Sequence, residues 1–317
     1  MSGTVHKVPK PPAPHERREP LPSQASKATE EDPLALQRVE AILKSPSYRL
    51  AERDLDFLAL EDVRGVRLMI DYLKAELLLQ QQGIQNAIVV LGGTRICEPA
   101  AARRKIEQLK RLLTNQPHNE TFLRQLGIAE RVLAKSRYYD VAREFGRIVG
   151  TANNNNPASH TVIVTGGGPG IMEAANRGAF DVGAKSVGLN ISLPCEQYPN
   201  PYITTDLCFQ FHYFAIRKLH FLERARALVA FPGGYGTFDE LFEVLTLIQT
   251  RKIQPIPVML VGESYWRSVV DIDRMVDEGV IDQEDHELFW FAETAEEIWD
   301  SVLHWYQKSG GSAATIP

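Results

Sequence analysis

A chain of 317 residues is long enough to bury a full core, as one large domain or two small ones. Its net charge of −5 gives no overall basic character and argues against nucleic acid as a partner. No apolar stretch reaches about 18 residues, so no membrane span is expected, and the polar, Pro-rich start lacks the apolar core of a signal peptide.

Residues 1–32 are rich in Pro, Lys, Arg, Glu and Ser and read as a disordered tail. Residues 33–84 read as a helical N-terminal extension: Val63, Val66, Met69, Ile70, Leu73 and Leu77 recur every three or four positions, and Gly83 suits the residue that closes a helix. This segment is expected to pack on the core or on a second subunit. From residue 85 to 308 the pattern changes to short apolar strands alternating with helices. Strands are expected at 87–91, 161–165, 186–193, 203–209, 228–231 and 257–261. Helices are expected at 138–149, 171–182, 214–224, 238–249, 265–277 and 295–306. The charged helical stretch 99–135 reads as an insertion, 153–156 as a polar linker and 309–317 as a flexible tail. Such alternation implies an α/β fold with a parallel sheet covered by helices on both faces, whose ligand sits at the carboxyl ends of the strands. Cys97, Cys195 and Cys208 are few, odd in number and without metal-ligand spacing. They read as reduced thiols of a cytoplasmic protein.

Three of these strands run into glycine: Gly92-Gly93-Thr94-Arg95, Gly166-Gly167-Gly168-Pro169-Gly170 and Pro232-Gly233-Gly234-Tyr235-Gly236-Thr237. Glycine lets backbone approach a ligand closely, and a helix start behind it offers free N–H groups and partial positive charge to a phosphate. Three such turns in one sheet point to a nucleotide or sugar-phosphate site, with Gly93, Gly167, Gly168, Gly233, Gly234, Tyr235, Gly236 and Thr237 as candidate contacts. No Gly-Lys-Ser/Thr follows any of them, and none keeps the dinucleotide spacing, which disfavours triphosphate hydrolysis and hydride transfer.

The third turn leads into Asp239 and Glu240, with Glu243 one helical turn on. One reading is a capping box, with Thr237 as N-cap and Glu240 at the third helical position. The other is catalytic. A carboxylate repels a phosphate, so it should face another part of the ligand, and the centre of a nucleotide that gains positive charge when the glycosidic bond breaks is ribose C1′. A cation for that acid follows from geometry. The helix starting at Phe214 runs back to feed the strand that ends before Pro232. About ten helical residues at 1.5 Å match five strand residues at 3.3 Å, which brings Arg217 and Lys218 beside Glu240. Glu173, Glu196 and Thr246 are weaker candidates, and His212 and His220 read as packing or surface histidines.

The motif Pro232-Gly-Gly-Tyr-Gly-Thr-Phe-Asp-Glu240, with Arg217-Lys218 before it and Gly166-Gly-Gly-Pro-Gly-Ile-Met172 further upstream, resembles the LOG ("lonely guy") family across about residues 85–305. These are nucleoside 5′-monophosphate phosphoribohydrolases, long mislabelled lysine decarboxylases, and the chain looks most like the longer bacterial members. The resemblance implies a Rossmann-like, doubly wound fold, at least a homodimer, and release of free base and ribose 5-phosphate from a purine nucleoside monophosphate such as AMP or an N6-substituted AMP. It implies Arg217 and Glu240 as the catalytic pair, Lys218, Gly234 to Thr237, Glu196 and Thr246 at the nucleotide, and no metal or organic cofactor. A nucleotide sensor or carrier of the same fold is the alternative. Two departures stand out: Gly93 occupies a position where members usually carry serine, and the N-terminal helices and the 99–135 stretch are absent from the short plant-like enzymes. Nothing in the sequence marks a pyridoxal-phosphate lysine site.

Overall fold

The computed structural model describes residues 20–24, 26–155, 161–194 and 198–308; the expected tail at 309–317 and residues 1–19 of the expected N-terminal tail lie outside them. The chain forms two compact units, Met1–Arg67 and Leu68–Pro317. The first holds α1 (Ala35–Leu43), α2 (Leu55–Leu58) and the opening of α3 (Arg64–Gln81). The continuous helix suggested by periodicity is broken here. Pro46 starts a single 3₁₀ turn, and the Asp54 carboxylate accepts the Phe57 N–H at 3.2 Å to begin α2 afresh. The Arg67 guanidinium donates to the carbonyls of Leu58 and Leu60 at 2.7 and 2.5 Å, satisfying the end of α2.

The second unit is built on seven parallel strands: β1 (Asn86–Leu91), β2 (Thr161–Thr165), β3 (Ser186–Ile191), β4 (Cys208–Phe211), β5 (Ala225–Ala230), β6 (Val258–Val261) and β7 (Trp290–Ala292). Their order is β4-β3-β2-β1-β5-β6-β7. The chain therefore winds outward from β1 in one direction, then returns to its other side and winds outward in the opposite one. This is the expected doubly wound sheet, with its switch point between β1 and β5. The helices are α4 (Pro99–Asn115), α5 (Glu120–Lys135), α6 (Arg137–Asn155), α7 (Ile171–Asp181), α8 (Phe214–Glu223), α9 (Tyr235–Gln249), α10 (Glu263–Val269), α11 (Ile272–Asp277) and α12 (Ala295–Lys308).

Alternation along each strand splits the core in two. Ala87, Val89 and Leu91 of β1 face one layer with Ala75 and Leu79 of α3, Phe221 of α8, Leu241 and Val244 of α9 and Trp266 of α10. Ile88 and Val90 face the other, with Phe145 of α6, Ile171 and Ala175 of α7 and Ile298 and Val302 of α12. On the first layer α3 also holds the outer side of α8. Glu76 pairs with Arg224 at 2.7 Å, the Tyr72 hydroxyl donates to Glu223 at 2.7 Å, and the Tyr72 carbonyl lies 3.2 Å from His220 Nε2. His220 is buried against the rings of Tyr72 and Phe211, a packing histidine.

Several boundaries differ from those expected. The fourth strand starts at Cys208 rather than 203, because Thr205–Leu207 is a 3₁₀ turn and Thr204 uses its Oγ1 to accept from Ser186 N–H at 3.0 Å. The stretch 265–277 is two helices, since Asp271 leaves helical geometry to cap α11 through Arg274 N–H at 2.9 Å. β7, three residues long, carries too short a pattern to stand out in the sequence. Positions 153–155 of the expected linker continue α6, and Asn156 lies outside the described residues. Cys97 and Cys208 are free thiols, and Cys195 lies outside the described residues. Among the described residues no helix is long and apolar enough to cross a membrane.

Helices α6 and α7 cross closely because of two glycines. A Cβ on Gly146 would lie 2.2 Å from the Ala175 carbonyl oxygen, and one on Gly178 would lie 1.9 Å from that of Arg143. Alanine is better than glycine in a free helix by about 1 kcal/mol, yet at this crossing the overlap dominates. Gly178→Ala is expected to lower unfolding free energy by about 1–3 kcal/mol. Urea denaturation checks it; an unchanged or raised midpoint would show that the helices can move apart at little cost.

Candidate active site

The switch point carries the site. β1 pairs with β2 on one side and β5 on the other, so the three glycine turns emerge side by side. They are joined directly: Gly93 N–H donates to the Pro232 carbonyl at 2.9 Å, and Ile171 N–H donates to the Gly93 carbonyl at 3.3 Å. Close approach excludes side chains. Gly170 has φ +76°, and a Cβ there would lie 2.4 Å from the Gly93 oxygen; Gly167 has φ +70°, and its Cβ would overlap Asn190. Above these turns lies a cleft of about 350 Å³. It is lined by the backbone of the turns and by the side chains of Met172, Ile191, Leu193, Phe214 and Phe221.

Glu240 and Arg217 are the charged side chains of that lining, both buried. Arg217 Nη2 donates to Glu240 Oε1 at 2.7 Å, so the antiparallel run of α8 and β5 brings the two together as the geometry requires. The guanidinium also sits 4.9 Å from the Phe214 ring centre and 5.6 Å from that of Phe221. Its Nε is buried with no partner among the described residues.

The capping box does not form. α9 begins at Tyr235, two residues before Thr237, with Gly234 as its N-cap and no side-chain cap. Glu240 is therefore in the second turn, beyond reach of the N-cap N–H. The early start has a steric reason: a Cβ on Gly233 would collide with Thr237, which packs back over the turn. The first intrahelical bond is Phe238 N–H to the Gly234 carbonyl, which leaves the N–H groups of Tyr235, Gly236 and Thr237 outside the helical ladder at the cleft.

The remaining sequence candidates divide. Gly93, Gly234, Tyr235, Gly236 and Thr237 line the cleft together with the catalytic candidates. Gly166 lines it, whereas Gly167 and Gly168 lie behind it and are buried. Gly233 is held by the Tyr265 hydroxyl, which donates to its carbonyl at 2.5 Å. Lys218 points along the outside of α9 and donates to Asp239 at 2.6 Å and Glu243 at 3.3 Å, so these three form a second α8–α9 bridge next to the Arg217–Glu240 pair. Thr246 is exposed and donates to the Phe242 carbonyl at 2.7 Å. Glu173 accepts from the buried Tyr139 hydroxyl at 2.8 Å, and the backbone N–H of the exposed His212 donates to Asp71. Glu196 lies outside the described residues. Sequence reasoning missed the apolar wall and Tyr265. The aromatic spacing of Phe214 and Phe221 along α8 was available as a signal, but nothing near Tyr265 points to Gly233.

A family model described as "Possible lysine decarboxylase" matches residues 172–302. Among known proteins, cytokinin riboside 5′-monophosphate phosphoribohydrolase LOG3 of Arabidopsis thaliana is 30% identical over 168 residues, which cover 52% of this chain and 74% of that one. LOG1 of the same plant is 30% identical over 169 residues, with the same two coverages. The probable enzyme LOGL3 of Oryza sativa subsp. japonica is 38% identical over 88 residues, 27% of this chain and 41% of that one.

Burial raises the Glu240 carboxyl above the ordinary carboxylate range; the Arg217 charge opposes the rise without cancelling it. A carboxyl whose pKa is higher folded than unfolded favours the folded state while protonated, and that contribution is lost as pH climbs through the folded value. The unfolding free energy of the native protein minus that of Glu240→Gln should therefore fall between about pH 4 and neutrality, by about 1.4 kcal/mol for each unit of upward displacement. Denaturation of both proteins across that range measures it. A difference that grows with pH would mean that attraction to Arg217 outweighs burial.

Proposed function

The chain belongs to the LOG family of phosphoribohydrolases, and on that premise we propose that it hydrolyses the N-glycosidic bond of a purine nucleoside 5′-monophosphate, AMP or an N6-substituted AMP. The observation that carries this reading is the buried Arg217–Glu240 contact at 2.7 Å, set in the cleft beside the unladdered N–H groups of α9. The phosphate is received by those N–H groups, favoured by the helix dipole. The base lies against the apolar wall of Met172, Ile191 and Phe214, and the ribose spans the distance to Glu240.

In this arrangement C1′ gains positive charge as its bond to the base nitrogen breaks, and the electron pair leaves with the base. The Glu240 carboxylate stabilises that charge and directs a water to C1′. The new C1′–O bond gives ribose 5-phosphate; the water's proton leaves through the carboxylate and the departing base takes up a proton. Arg217 orients the carboxylate, and its free Nε offers a donor to a ligand oxygen. The decarboxylase description fits poorly. Pyridoxal-phosphate chemistry needs a lysine for its Schiff base, no lysine lines the cleft among the described residues, and Lys218 is bound to Asp239 and Glu243.

Incubation with AMP is expected to yield free adenine and ribose 5-phosphate in equal amounts by chromatography. Glu240→Gln should lower kcat by about 10²- to 10⁴-fold. Since the ionised carboxylate is required and its pKa is raised, kcat/KM should fall on acidification with a limb above the ordinary carboxylate value of about 4.3. Protein that binds AMP yet releases no base would overturn hydrolysis in favour of a nucleotide sensor.

A further inference from the structure

Two successive carbonyls of the third turn are each pinned by a hydrogen bond. Pro232 C=O accepts from Gly93 N–H at 2.9 Å. Gly233 C=O accepts from the Tyr265 hydroxyl at 2.5 Å. A trans peptide unit is planar, with its C=O and the following N–H pointing in opposite directions. Fixing the Gly233 oxygen on one side therefore fixes the Gly234 N–H on the other, and Gly234 lines the cleft while Tyr265 does not. Glycine at 233 and 234 leaves this backbone free to rotate; nothing lies within 4 Å of a Cβ at Gly234. Without the tether the Gly233 carbonyl is free to turn inward, and a carbonyl oxygen facing the cleft repels an anion.

We propose that Tyr265 is a positioning residue for anion binding: its hydroxyl holds the Gly233 carbonyl out of the cleft and aims the Gly234 N–H into it. The inference rests on the reading of this cleft as a phosphate site. Tyr265 is well placed for a fixed role. It lies in the first turn of α10, whose N-cap Gly262 has φ +87° and accepts the Tyr265 N–H at 3.0 Å. Next to it Trp266 is buried and donates its Nε1–H to the Val261 carbonyl at 3.0 Å, locking the helix to the strand end. The Tyr265 ring packs edge-on to Trp266, with centres 5.4 Å apart. Burial raises the phenol's pKa, so the hydroxyl remains a donor throughout the neutral range.

The test compares native protein, Tyr265→Phe and Trp266→Phe by calorimetry with ribose 5-phosphate and with adenosine, alongside thermal melts. Tyr265→Phe is expected to weaken ribose 5-phosphate about three- to tenfold while adenosine binding stays within error. Trp266→Phe should lower Tm yet leave the ratio of the two affinities unchanged. In native protein, the Gly234 amide proton should move downfield as ribose 5-phosphate is titrated, a readout that needs no variant. If Tyr265→Phe binds ribose 5-phosphate like the native protein, or weakens both ligands alike, or if the Gly234 signal does not move, the positioning role is overturned and the phosphate reading stands. If native protein binds neither ribose 5-phosphate nor AMP, the phosphate reading itself falls, and this inference with it.

Discussion

The hydrogen bonds of Gly93 set the geometry on which everything at the cleft depends. Its N–H reaches the Pro232 carbonyl and its carbonyl receives Ile171 N–H, so one residue just past the central strand ties together the turns that follow β1, β2 and β5. The sheet order makes this possible, because only a strand flanked by both halves of a doubly wound sheet has such neighbours. The backbone comes close enough only where side chains are missing, which explains why Gly170 adopts a positive φ against the Gly93 oxygen.

On this frame the charges are placed with unequal exposure. Arg217 and Glu240 are buried and face the cleft, whereas Lys218, Asp239 and Glu243 form a more exposed bridge on the outer side of the same two helices. Adjacent residues on a helix point about 100° apart, so one Arg-Lys pair serves both sides. The inner pair lines the cleft; the outer one restrains the relative position of α8 and α9. An outer bridge is weak by itself when solvated, but it costs little to keep and limits the freedom of a buried contact that must retain its geometry.

Much of this was legible in the sequence, for identifiable reasons. Strand–glycine–helix punctuation gave the parallel sheet and the location of the cleft, and the opposed directions of α8 and β5 were enough to bring Arg217 to Glu240. Features set by tertiary contact were not legible. The start of α9 depends on Gly233 lacking a side chain where Thr237 packs, so a local capping pattern in Thr237–Glu240 misled. Lys218, expected at the nucleotide from the resemblance, is held by Asp239 and Glu243, a link between helices that no local pattern announces. Tyr265 lies on α10, after β6, and a bond from a side chain to a carbonyl far away in sequence leaves no local trace.

The contact between α3 and α8 bears on how the chain can be divided. Tyr72 and Glu76 grip His220, Glu223 and Arg224 on the outer side of the helix whose inner side presents Arg217. Arg224 is shared between Glu76 at 2.7 Å, Glu223 at 3.7 Å and the Ile84 carbonyl at 3.1 Å, so removing Glu76 would take away its shortest carboxylate contact. The helix ahead of the first strand is thus a splint for the buried arginine of the cleft. A chain trimmed to begin at β1 would keep every residue that lines the cleft and still lose the brace behind one of them.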